Sequence, residues 1–263
     1  MFDTLGKTTL ITGGISGIGK SLAEKAAKDK NTLILVQRRS SDTIEDELKK
    51  LGAQKVIQLQ YDLSELENIK KLVQDLEQKN LEIDILINNA GLLTGGLLEK
   101  QDPEKIYQML NVNLSAVIVL TRLLLPSMLE RKTGRIINNA SVSGKMFMPC
   151  ASTYAASKAG VVAFTESIKQ ELEGTGVSTL LLITPGVKTD MYDDIKSQYG
   201  DSMDLSFLRS IPAADWANQV WSAVKSDQDT LMPSGTERVG VWLATHAPSL
   251  FEKSIKKYFK PKR

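Results

Sequence analysis

The chain has 263 residues, enough for one large domain or two small ones, and its 42% hydrophobic and 24% charged residues support a packed core and exclude a disordered or fibrous protein. Its 33 Lys and Arg nearly balance 31 Asp and Glu, and a net charge of +2 excludes the chain-wide basic field of a nucleic-acid binder. One cysteine, Cys150, and one histidine, His246, exclude an intrachain disulfide and provide no zinc set, so a reducing compartment and a metal-free site are expected.

Met1 to Lys7 leads straight into a strand and lacks the basic start and apolar run of a secretory signal, which implies a cytoplasmic protein. Continuous apolar runs at 8–12, 32–36, 55–60, 84–88, 135–140 and 178–183 read as strands buried on both faces. Helical patterns lie between them at 18–28, 42–51, 65–79, 103–131 and 152–173. The stretch Val112 to Leu129 is interrupted by Asn113, Ser115, Thr121, Arg122 and Pro126, and so reads as a buried helix, not a bilayer span. Strict strand–helix alternation predicts an α/β fold, a doubly wound parallel sheet of the Rossmann type, in a single domain over 1–263. Residues 187–211 have no clear periodicity and are expected to form a lid. Pro212 fits the first turn of a helix through Trp216 to Lys225.

Directly after the first strand stands Thr12-Gly13-Gly14-Ile15-Ser16-Gly17-Ile18-Gly19, followed by a helix. A glycine turn lets backbone approach a pyrophosphate, and the helix start offers amide donors and a positive dipole end. The spacing Gly-x-x-x-Gly-x-Gly resembles the corresponding turn of the short-chain dehydrogenase/reductase family. The resemblance continues through most of the chain. Asp62, with Leu63, follows the third strand where the family places an acid near adenine, and Asn88-Asn89-Ala90-Gly91 closes the fourth.

At the end of the second strand, Val36-Gln37-Arg38-Arg39 has Gln37 where NAD-preferring relatives carry a carboxylate. Arginine can hold a ribose 2'-phosphate, so the resemblance implies NADP(H) held through Arg38 and Arg39, with NAD(H) as the alternative. The plainer reading of the two arginines is solvated loop charge.

Tyr154 and Lys158 are four residues apart, on one face of the helix from Ser152, and Ser141 lies thirteen residues earlier, just after the fifth strand. A phenol with an ordinary pKa near ~10 exchanges protons poorly at neutral pH, and a neighbouring ammonium, together with the positive nicotinamide of the oxidised cofactor, is expected to lower it. In the family, a serine, a tyrosine, a lysine and an asparagine act together. The resemblance implies that Tyr154 exchanges the proton, Lys158 also holds the nicotinamide ribose, Ser141 orients the substrate oxygen, and Asn113 holds a water linking Lys158 to solvent. Asn113 also reads as a polar residue satisfying backbone groups inside an apolar helix. Pro185-Gly186 with Val187 and Thr189 resembles the segment that holds carboxamide and pyrophosphate. Here Val187 alone separates Pro-Gly from the residue before the threonine, where relatives have two residues.

The implied activity is oxidoreduction, a hydride passing between NADP(H) and a carbonyl or secondary alcohol. A non-catalytic NADP(H)-binding regulator or scaffold of the same fold is the alternative. Leu92, Leu93, Met146, Phe147, Met148, Met191 and Tyr192 follow strand ends together with Ser141 and predict an adaptable pocket for a lipophilic small molecule, with simple packing of the core or lid as the plainer reading. Leu250, Phe251, Ile255, Tyr258 and Phe259 form an approximate helical face in a basic tail over 249–263, with Lys253, Lys256, Lys257, Lys260, Lys262 and Arg263 around it. That face predicts packing against a neighbouring subunit ahead of contact with an anionic membrane surface. The resemblance implies a homodimer or homotetramer through the helices at 112–131 and 152–173.

Overall fold

The computed structural model describes residues 1–261; Lys262 and Arg263 of the basic tail lie outside the described residues. In chain order the main elements are β1 (Thr8–Thr12), α1 (Gly17–Lys28), β2 (Thr32–Gln37), α2 (Ile44–Lys50), β3 (Lys55–Gln60), α3 (Leu66–Gln78) and β4 (Ile85–Asn88). Then come α4 (Pro103–Leu110), α5 (Ala116–Arg131), β5 (Gly134–Asn139), α6 (Ser152–Glu171), β6 (Val177–Leu182), β7 (Val187–Lys188) and α7 (Asp190–Tyr199). The chain continues through β8 (Ile211–Pro212), α8 (Ala213–Lys225), β9 (Thr230–Leu231), α9 (Gly235–His246) and α10 (Pro248–Lys256).

Seven parallel strands form the central sheet in the order β3-β2-β1-β4-β5-β6-β9. Successive strand residues serve opposite faces, which explains the uninterrupted apolar runs. Ile11, Leu33 and Leu35 pack with Leu22, Ala26 and Trp216 of α1 and α8, whereas Leu10, Ile34 and Val36 pack with Leu72, Leu76 and Leu120 of α3 and α5. Each such buried aliphatic side chain contributes roughly 1.5–3 kcal/mol relative to exposure.

Pro103–Arg131 is a continuous helix, long and apolar enough to cross a membrane, yet 44% of its most apolar window is buried inside the protein. Its inner stripe includes Ala116, Leu120, Leu124 and Met128, as the buried-helix reading expects. Between α4 and α5 it widens into one π-turn at Asn111–Ser115, and Asn113 there is fully buried.

The segment read as an irregular lid contains a helix, α7. Thr189 caps it by accepting from Tyr192 N at 3.3 Å, and Asp190 and Asp193 sit in its first turn, complementing the helix dipole. The basic tail also takes a course within the chain itself. Phe251 and Ile255 of α10 are buried with Tyr199 and Met203 of the 187–211 segment, and Tyr258 and Phe259 pack against the same cluster. Backbone bonds tie the two segments: Asp204 N donates to Tyr258 O at 2.8 Å, and Lys260 N to Ser202 O at 2.9 Å.

Candidate active site

Strand order reverses between β1 and β4, and the crevice there opens at the carboxyl ends of the strands, where doubly wound sheets bind ligands. Gly13 has φ +68° and donates its N–H to Val36 O at 2.8 Å; Gly17 has φ +50°, directly under Thr189. A Cβ on Gly19 would stand 2.0 Å from Gly13 O, so the turn closes only on glycine. Ser16 begins α1 without a side-chain capping bond, leaving its hydroxyl uncommitted. These are the features a pyrophosphate cradle requires.

Behind the cradle runs a network of amides. Asn89 Nδ2 donates to Thr12 O at 3.1 Å and Gly13 O at 3.3 Å, while Asn89 N and Ala90 N both donate to Thr12 Oγ1 at 2.9 Å. Asn139 Nδ2 donates to Asn89 Oδ1 at 3.0 Å, Thr184 Oγ1 donates to Asn139 Oδ1 at 2.5 Å, and Lys158 Nζ donates to Asn139 O at 2.7 Å. Asn139 thus couples the cradle to the lysine. Sequence reasoning missed it, although a polar Asn138-Asn139 pair ending an otherwise apolar strand was the available signal.

Tyr154 and Lys158 project from α6 toward Ser141, which begins the turn after β5. Ser141 hydrogen-bonds Tyr154, and Lys158 Nζ lies 5.9 Å from the centroid of the tyrosine ring. Burial pushes the Tyr154 phenol up to about 12, against a smaller downward pull from Ser141, and holds the Lys158 ammonium down at about 8. Desolvation is the larger influence on both groups, and the Lys158 ammonium is turned to the Asn139 carbonyl.

Asn113 lies behind Gly91, beside the lysine rather than in the cavity. A Cβ on Gly91 would stand 3.4 Å from Asn113 Oδ1 and 3.8 Å from Lys158 Nζ. The Asn113 amide accepts from Leu92 N at 2.7 Å and donates to Leu92 O at 2.9 Å and Ser157 Oγ at 3.2 Å. Its reading as a residue that satisfies backbone groups is the one this geometry displays.

One cavity of about 840 Å³ joins the glycine turn to Ser141, Tyr154 and Lys158. Its floor includes Gly13, Ser16, Gly17, Ile18, Asn89 and Ala90, then Ser141, Tyr154 and Lys158. Pro185, Gly186, Val187 and Thr189 also line it, and Thr189 reaches over Gly17 despite the shortened spacing. Met146 and Met191 line the substrate end. Leu92 and Phe147 do not: Leu93 and Met146 take the inward positions, and Phe147 is 66% exposed, which removes it from the expected pocket wall. Arg38 and Arg39 stand exposed just past the strand end that receives Gly13 N, while Leu63 is buried and Asp62 Oδ1 accepts from Ser64 N at 2.9 Å. These four sit beyond the cavity wall.

The roof was not legible residue by residue. It comes from α7, the following loop and the C-terminal helices, with Ile195, Tyr199, Phe207, Leu243, Phe251 and Ile255 among its side chains. Cys150 is buried and free beneath it, and His246 stacks on Trp242 at the surface.

Residues 7–200 match the family model of the short chain dehydrogenases. The chain belongs to the short-chain dehydrogenase family. It is therefore an NAD(P)-dependent oxidoreductase acting on CH–OH or C=O groups, in a family whose members take small-molecule substrates and commonly form oligomers. This dehydrogenase is 37% identical to a ketoacyl reductase of Nostoc sp. over 230 residues, covering 86% of this chain and 78% of that protein. A short-chain dehydrogenase of Streptomyces avermitilis has the same fold, with a TM-score of 0.79, 22% identity and coverage of 98% of this chain and 99% of that one. A metagenomic short-chain oxidoreductase solved with NADP has a TM-score of 0.74 and 26% identity, covering 89% of this dehydrogenase and all of its own chain.

Proposed function

We propose that this enzyme reduces a ketone, or oxidises the corresponding secondary alcohol, on a lipophilic small molecule with NADP(H) as its preferred cofactor. The observation that carries the reading is the single cavity in which Ser141, Tyr154 and Lys158 meet both the glycine cradle and a roof of apolar side chains. The ketoacyl reductase named among its relatives supports an acyl-type carbonyl compound, and the NADP-bound neighbour supports the cofactor, as do exposed Arg38 and Arg39 where a carboxylate would favour a free ribose hydroxyl.

The cradle, the Asn89 amides and Thr189 would hold the cofactor, which when bound supplies or accepts the hydride and brings a positive charge when oxidised. Ser141 orients the substrate oxygen and Tyr154 transfers its proton. Lys158, held by Asn139 O, would hold the nicotinamide ribose and, with the positive charge of the oxidised cofactor, would offset the burial that keeps the phenol protonated, and Asn113 positions the residues beside it for proton exchange with solvent. Assembly as a cytoplasmic homodimer or homotetramer through α5 and α6 belongs to the same reading, supported by the outward Ile118, 37% exposed. The test is NADPH oxidation across a panel of ketones and 3-oxo esters by the wild type and Tyr154→Phe. Turnover by the wild type alone supports the reading; equal turnover by the variant removes Tyr154 from it. Cofactor binding with no turnover on any carbonyl or alcohol would favour the regulator or scaffold.

A further inference from the structure

Tyr199 ends α7 in an unusually confined setting. A Cβ on Gly95 would stand 1.7 Å from its Cε1, so the ring lies directly on that glycine's backbone. Gly96 takes φ +101° under the Gln198 carbonyl and donates its N–H to Cys150 O at 2.8 Å, while Gln198 Nε2 donates to Leu93 O at 3.3 Å. The 93–96 segment therefore backs the ring, Phe251 and Ile255 of α10 share its cluster, and Tyr199 is only 6% exposed.

Its hydroxyl nevertheless makes no hydrogen bond within the described residues. The polar atoms sealed away without partners lie elsewhere, at Gln37, Arg135, Thr179 and Trp216. Tyr199 lines the same cavity as Ser141 and Tyr154, and its hydroxyl is not among the sealed atoms. Burial, then the proximity of Tyr154 and of Cys150, raises this phenol above its ordinary value, and it stays a neutral donor across the working pH range. A phenylalanine would pack on Gly95 equally well, whereas a phenol donor with no partner in the protein is satisfied only by a ligand acceptor or water.

We propose that the Tyr199 hydroxyl is a specificity-determining donor that binds a second oxygen of the substrate, so that preferred substrates carry an ester-type carbonyl near the reducible ketone. This rests on the carbonyl-reductase reading above. The preferred class is then a 3-oxo ester or thioester of an aliphatic chain, its tail under the lid and its second carbonyl at Tyr199.

The experiment compares wild type and Tyr199→Phe on an ethyl 3-oxoalkanoate and on a plain ketone of equal length in which methylenes replace the ester. Tyr199→Phe should raise KM for the oxo ester about tenfold, with kcat and the pH profile held, and change the plain ketone less than about twofold. Unchanged thermal melting and NADPH affinity establish that the packing on Gly95 is intact. Equal losses on both substrates, no loss on either, or a wild type that prefers the plain ketone overturns the assignment. A wild type that turns over neither these compounds nor the wider carbonyl panel brings down the reductase reading and the Tyr199 assignment with it, whereas plain-ketone turnover leaves that reading standing whatever Tyr199→Phe does.

Discussion

The wall of the cleft that faces the cofactor position and the wall that faces the substrate are made of different materials. The first is backbone, glycine and amide side chains from the ends of β1, β4 and β5, linked from Gly13 through Asn89 and Asn139 to Lys158. The second is mainly apolar side chains from α7, α9 and α10, among them Ile195, Leu243, Phe251 and Ile255, with Thr236, Glu237 and Ser254 interspersed. A hydrogen-bonded wall admits no change of spacing without loss of a partner, while an apolar wall tolerates substitutions of similar volume. One side is thereby suited to a fixed cofactor and the other to a variable substrate.

The contrast can be broken at the chemistry first. Tyr154→Phe keeps the ring and removes the proton, so turnover should fall about 10²–10⁴-fold while NADPH affinity, followed by quenching of protein fluorescence, changes little. Gly19→Ala attacks the cradle itself. With its Cβ 2.0 Å from Gly13 O, the variant should lose at least about tenfold in cofactor affinity and also melt at lower temperature.

Lys158 tests what burial costs this wall. Its ammonium sits at about 8 in the folded protein and at an ordinary 10.5 when unfolded, so between these values the unfolded chain binds more protons and stability rises with pH. Tyr154 acts oppositely above pH 10, where the unfolded phenol ionises and the folded one, at about 12, does not. Urea denaturation from pH 8 to 10 should therefore show a rise, on the order of 1–3 kcal/mol, that Lys158→Met lacks. The same slope in both proteins would place the effect elsewhere.

The substrate wall should answer differently. Phe251→Ala is expected to cost roughly 3 kcal/mol or more of stability by leaving a cavity under the lid, and to raise KM for lipophilic ketones with NADPH affinity retained. Loss of NADPH affinity in this variant would show that the two walls are not separable. The smallest effect is expected at the exposed end of β2, where Arg38→Ala should reduce the preference for NADPH over NADH by about tenfold.

Much of the cofactor wall was readable because its chemistry is local in the chain. Gly13 to Gly19, the Tyr154 and Lys158 pair, and Pro185-Gly186 each act over a few residues, and the six long strands were visible as double-sided apolar runs. The lid helix carried a signal, Thr189 with Asp190 and Asp193, that the absence of a long periodic run obscured. Phe147 was assigned inward because an apolar residue after a strand end suits a pocket, but its neighbour Met146 fills that place against Gly240. The basic tail has an apolar face as expected, and that face closes the chain's own cavity.

By itself the amino-acid sequence determined the parallel α/β architecture, the glycine turn after β1 and the placing of Tyr154 and Lys158 on one helix face, because periodicity and short-range spacing encode each of these. Tertiary structure alone decided that Asn139 joins the cradle to Lys158, that burial is the larger influence on the Tyr154 phenol, and that α10 closes over Tyr199. Those outcomes depend on which distant segments exclude water from a side chain, and desolvation is a property of the packed neighbourhood that no local run of residues specifies.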